Sequence, residues 1–161
     1  MMRHIKKFAA LLLAAICVMM VLTGCVDKAS LYDDTQQIAA GKTAYSATGY
    51  QGGYVMGDGS FDFTASADKL VGAVEAFDID VKNESTLVDC YTTVDTTNGE
   101  FKILFIHTDN KQIIAEYIDD AYSDLVLPVG NYKVYLVGKD DAAFDVGIGP
   151  VSYTHLTLPT N

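Results

Sequence analysis

From Phe77 to Val81 apolar and acidic residues alternate, so that Phe77, Ile79 and Val81 fall on one side of an extended chain and Asp78 and Asp80 on the other. The same period of two recurs from Ser60 to Ala65, where Phe61 and Phe63 alternate with polar neighbours. It recurs again in segments 86–96, 100–108, 112–118, 131–139 and 142–148. Outside residues 30–41 no long stretch keeps a helical period. A period of two sustained over about a hundred residues predicts roughly six to eight short antiparallel strands, and that spacing favours an all-β, antiparallel β-sandwich. Between the segments lie turn residues. Asn98-Gly99 predicts a tight hairpin joining 86–96 to 100–108, because both residues accept the positive φ that such turns require. Asp109-Asn110-Lys111 and Asp140-Asp141 read as further turns, and Pro128 with Gly130 sets a bend before Asn131.

The two ends depart from this pattern. The chain begins Met1-Met2-Arg3-His4-Ile5-Lys6-Lys7 and then carries no charge from Phe8 to Cys25, the basic and apolar regions of a secretory signal. The apolar run from Phe8 to Leu22 is shorter than the roughly 20 residues that span a bilayer as a helix. Loss of residues 1–24 removes Arg3, Lys6 and Lys7, leaving 8 of the 11 basic residues against all 21 acids and a net charge of −13. So acidic a body disfavours nucleic acid as a partner and is repelled from anionic lipid surfaces.

Leu22-Thr23-Gly24-Cys25 resembles the lipobox of bacterial lipoproteins. The resemblance covers about the first 25 residues and implies that residues 1–24 are a signal peptide and that Cys25 is lipidated. The expected location is then the cell membrane, lipid-anchored and facing outside the cytoplasm. Two or more acyl chains, at about 0.8 kcal/mol per buried methylene, anchor stably where one holds marginally. Residues 25–48 are expected to be the lipidated cysteine and a tether. Within it Ser30 as N-cap, Asp33 and Asp34 in the first turn and Gly41 as a stop predict a short helix whose apolar residues are too few to make a core alone. Residues 49–150 are expected to be the sandwich domain.

The final residues 151–161, "VSYTHLTLPTN", hold no acid, although residues 26–150 hold all 21. They resemble the conceptual translation of a transposase end sequence used as a sequencing adapter, and are expected to be an artefact following a last strand that ends at Ile148. Residues 127–139, "LPVGNYKVYLVGK", with "AAFDVGI" after them, resemble the closing strand pair of small immunoglobulin-like or jelly-roll-like sandwiches on bacterial surface proteins. Tyr132, Val134 and Leu136 are then expected to face Phe144, Val146 and Ile148 in the core.

Little in the chain is equipped for catalysis. With His4 in the leader and His155 in the tail, His107 is the one histidine of the body, and it shares a face with Phe101, Ile103 and Phe105, which reads as a structural imidazole. Cys90 alternates with Val88, Thr92 and Val94 and reads as a buried, inert thiol. No Cys-x-x-Cys, His-x-x-x-His or phosphate-cradling glycine loop is present. The acid pairs Asp78/Asp80, Asp119/Asp120 and Asp140/Asp141 offer hard oxygen ligands, but without a calcium-loop spacing they read as solvated turn acids. No metal or cofactor is expected. Tyr45, Tyr50 and Tyr54, in or beside the glycine-rich "GYQGGYVMGDGS" of residues 49–60, are candidate ligand-binding residues.

The reading is therefore a non-enzymatic, lipid-anchored envelope protein that binds an extracellular protein or glycan or supports an envelope assembly. A carbohydrate-binding module is the alternative, and a hydrolase using carboxylates such as Asp78 and Asp80 a further one. Changing Cys25→Ser is expected to abolish incorporation of labelled fatty acid; unchanged labelling would contradict the anchor.

Overall fold

The computed structural model describes residues 26–57, 60–82, 86–118 and 121–152; Cys25 and residues 153–161 lie outside them. Among the described residues two helical turns, α1 (Ser30–Asp33) and α2 (Thr35–Ala39), precede seven strands: β1 (Tyr45–Thr48), β2 (Gln51–Met56), β3 (Ser60–Val81), β4 (Thr86–His107), β5 (Gln112–Tyr117), β6 (Ala121–Leu127) and β7 (Gly130–Ser152). All strand pairs are antiparallel and belong to one sheet.

Three of these strands, β3, β4 and β7, exceed 20 residues and run through both halves of the molecule. Their middles bend. Phe61 and Phe77 stand on the same strand, where 16 extended residues would separate them by about 53 Å, yet their ring centroids are 5.1 Å apart and edge-to-face. The sheet is thus doubled over. One layer is ordered β2–β3–β7–β4–β6 and uses the first halves of β3 and β4 with the second half of β7. The other is ordered β1–β3–β7–β4–β5 and uses the remaining halves. A common core lies between them, built from Phe61, Phe63, Phe77, Phe101, Phe105, Leu136, Phe144 and their neighbours.

The all-β antiparallel reading holds, but its layers are halves of one sheet, and the Asn98-Gly99 hairpin is not formed. Segments 86–96 and 100–107 are one strand, and both pair with β7. Asn98 and Gly99 sit in a bulge where the register shifts between Thr96 and Glu100. A bulge and a hairpin turn make the same demand for positive φ, which explains the misreading. Gly99 has φ +70, and a Cβ there would lie 2.7 Å from Asp140 O and Ala142 Cα. On the facing strand Asp140 and Asp141, expected as a turn, hold φ +55 and +56 inside β7, and the Asn98 side-chain amide donates to Asp141 O at 3.0 Å. On β3 the bend falls between Ala67 and Gly72, the latter with φ +100. Three bulges in register make the fold line.

The segment read as a tether is packed on this sheet. Beneath α1 and α2, Leu104, Ile106, Tyr135, Val137 and Ala73 point out of the second layer, and Leu31 and Ile38 are fully buried on them. The first helical turn begins at Ser30 with Ala29 as cap, one residue earlier than expected, and the second gives way to Gly41 at φ +86. Lys102, almost wholly buried, sets its ammonium 4.2 Å from the centre of the Tyr32 ring and 3.0 Å from Glu116, while Lys139 binds Asp33 at 3.0 Å. Few apolar residues suffice because the sheet supplies the other half of this second core.

Strand β7 also continues past Ile148. Val151 pairs with Phe61 and Ser152 with Ser60, so the expected last strand is longer, and the first two residues of the suspected tail have strand partners. Tyr132 donates its hydroxyl to Pro128 O at 2.7 Å, fixing the entry into β7, in the manner of the tyrosine corners of sandwich folds. Because Leu31 is buried on the sheet, Leu31→Ala is expected to cost about 2–5 kcal/mol in denaturant unfolding. A cost below about 0.5 kcal/mol, usual for an exposed residue, would contradict the docking.

Candidate functional site

The two layers differ on their outer faces. Helices cover the second; among the described residues the first is open. Two rows of side chains cross it, each set by strand register: Gln51, Ser66, Asp145 and Asp95 in one, Gly53, Thr64, Gly147 and Thr93 in the next. They line a depression of about 530 Å³. Its floor is low because a Cβ at Gly53 or Gly147 would meet nothing within 4 Å.

Asp95 and Asp145 are directly opposed across β4 and β7, and both are exposed. Like charges so placed destabilise a sheet by a few tenths of a kcal/mol or more. Neither enters an ion pair among the described residues. Among the described residues the lining holds hydroxyls, an amide and two carboxylates, and no lysine or arginine. Such a surface can donate to and accept from a polar ligand and favours neutral or cationic groups over anions.

A second group of charges lies on the other layer. The Lys133 ammonium is 2.6 Å from Glu75 and 3.5 Å from Asp78, and Tyr135 stands beside it. A bulge between Glu75 and Phe77 turns both acids to the outer side. Burial, and then the Glu75 charge, push the Asp78 carboxyl above its ordinary value of 3.8 despite Lys133. The Tyr135 phenol is raised by burial and by Glu75. Burial works against the Lys133 ammonium, but its bond to Glu75 and the charge of Asp78 carry its pKa upward, so it remains a cation. Clefts of about 350 and 200 Å³ flank the cluster. It is an ion-paired network with one strained acid.

The sequence-predicted residues are dispersed. Tyr54 is built into the core: it packs on Phe61, Phe63 and Phe77 and donates its hydroxyl to Ala76 O at 2.9 Å. Tyr50 is half-buried against the same core, with its pKa raised first by burial and then by Tyr45. Tyr45 alone is largely open, and none of the three lines the depression. Asp78 turns toward Glu75 and Lys133, whereas Asp80 pairs with Lys82 at 3.4 Å. Asp140 and Asp141 form the bulge, and Asp119 and Asp120 lie outside the described residues. His107 packs edge-to-face on Tyr132 at 4.7 Å and closes over Gly130, as a structural imidazole does. The Cys90 side chain lies outside the description. No group of three metal-ligating side chains occurs among the described residues.

The depression escaped sequence reasoning because its rows cross four strands and depend on register. The glycines at 52 and 53 were its one local signal. Compared with known protein families and with curated proteins, the chain matches none.

Because folding raises the Asp78 pKa, its contribution to stability is present below 3.8 and is lost as pH rises through the raised value. Urea unfolding followed upward from about pH 3.5 is expected to show a loss of stability that Asp78→Asn removes. An unaltered pH dependence in that variant would contradict the assignment.

Proposed function

We propose that the chain is a lipid-anchored protein of the cell envelope, and that its β domain is a non-enzymatic binding module working through the open outer face. What supports this is the asymmetry of the two layers. One outer face is spent on a second core, whereas the other keeps two opposed aspartates, without an ion pair among the described residues, over a floor of glycines. A protein selected for stability alone gains by replacing either aspartate, and natural chains retain such costs where a ligand relieves them. The anchor rests on Leu22-Thr23-Gly24-Cys25 and places the domain outside the cytoplasm. An extracellular protein or a glycan is the partner.

Carbohydrate binding is the favoured form of the alternative, supported by the lining itself. Gln51, Thr64, Ser66, Thr93, Asp95 and Asp145 suit the hydroxyls of a neutral sugar. The tyrosine platform is not part of that reading, because Tyr54 is committed to the core. A hydrolase is supported least: Asp78 and Asp80 are near neighbours on one strand and do not face each other across a substrate.

Screening the protein against a glycan panel tests the reading. Binding is expected to fall at least tenfold in Gly147→Thr, which fills the floor where nothing stands within 4 Å. Asp145→Asn is expected to weaken binding while raising stability by about 0.2–1 kcal/mol through relief of the like-charge pair. Binding that survives both substitutions would remove the open face from consideration.

A further inference from the structure

Strands β1 and β2 form one edge. Tyr45 pairs with Gly72, Thr48 with Lys69, Gln51 with Ser66 and Met56 with Phe61, which is a single unbroken register along β3. Residues 45–56 therefore behave as one strand of twelve residues, eased around the fold line by Gly49 at φ +67. Among the described residues their far side has no strand partner in the sheet order. The stretch reads Tyr-Ser-Ala-Thr-Gly-Tyr-Gln-Gly-Gly-Tyr-Val-Met, without a charge or a proline, in a chain of net charge −10.

Long, flat, uncharged edges pair with other strands, and proteins that avoid this place charges, prolines or bulges there. The opposite edge of the same molecule follows that rule. Glu116 stands in β5 and Asp124 in β6, with Lys111 just before β5. The β1–β2 edge does not, and it holds three of the six exposed large apolar side chains among the described residues: Tyr45, Val55 and Met56. The charges nearest to it are mostly acids. Asp62 is opposite Val55, and Asp68 closes on Gly49, while Lys69 is engaged by Asp141 at 3.0 Å. A second copy of the chain would bring the same acids and the same net charge to the contact.

The geometry points to strand addition: residues 45–56 accept an extended, basic segment of another protein as an eighth strand. Main-chain hydrogen bonds would supply affinity, with Asp62 and Asp68 selecting for lysine or arginine on the incoming strand. This site is separate from the open face, although Gln51 and Gly53 border both.

Hydrogen-exchange mass spectrometry of the full chain in detergent tests it, using as probe a ten-residue peptide of alternating lysine and valine. Exchange over residues 45–56 is expected to slow at least tenfold. A glutamate–valine peptide should have no effect, and the Asp62→Asn, Asp68→Asn double variant should lose the protection while residues 101–106 stay as slow as before. Absence of protection, protection by both peptides, or protection centred on residues 93–95 and 143–147 would each overturn the proposal. Slowing over 45–56 that grows with protein concentration in the absence of peptide would overturn it in favour of a second copy.

Discussion

The structure depends on one constraint: three neighbouring strands of more than 20 residues bend at the same level. A single flat sheet of such strands would leave Phe61, Phe77, Phe101 and Phe144 in water. Doubling it brings Phe61 onto Phe77 and stacks Phe101 on Phe144 at 4.0 Å. The bend is made in backbone. Gly72, Gly99, Asp140 and Asp141 all hold positive φ at adjacent places in the register, a conformation that costs other residues on the order of 1 kcal/mol or more each. The core repays that strain, since each buried phenylalanine is worth about 1.5–3 kcal/mol over its exposed state.

Doubling creates two outer faces, and their fates differ. Leu104, Ile106, Tyr135 and Val137 make one of them apolar, so it requires a cover, and the helical segment around Leu31 and Ile38 provides it. Lys102 fixes that cover through the Tyr32 ring and Glu116 without leaving a buried charge unpaired. The other face alternates strictly, with Phe61, Phe63, Phe144 and Val146 inward and Thr64, Ser66, Asp145 and Gly147 outward. That face is polar and needs no apolar cover. The proposed function rests on this difference between two halves of one sheet.

Much of this was legible in sequence, and the limits are physical. Alternation in 60–65, 77–81 and 142–148 correctly gave extended chain and the inward set. The turn at Asp109-Asn110-Lys111 is formed as expected, whereas Asn98-Gly99 and Asp140-Asp141 were correctly located but wrongly interpreted, because they signal positive φ and say nothing of whether the chain reverses. Apolar residues at both parities, in Phe101–Ile106 and Tyr132–Val137, were the sign that the second layer is covered on both sides. Read that way, they would have placed Leu31 and Ile38 in a core. Asp78 was singled out beside Asp80, but its partners Glu75 and Lys133 come from a bulge and a neighbouring strand. The opposition of Asp95 to Asp145 is a fact of register alone and has no local trace.

Backbone contacts across Asn98-Gly99 test the central claim most directly. If the strands double over together, nuclear Overhauser contacts will join Glu100 to Lys139 and Thr96 to Phe144, with none between Asp95 and Lys102. Contacts between Asp95 and Lys102 would mean that β4 reverses in a hairpin at Asn98-Gly99, and would contradict the doubled sheet and both surfaces derived from it.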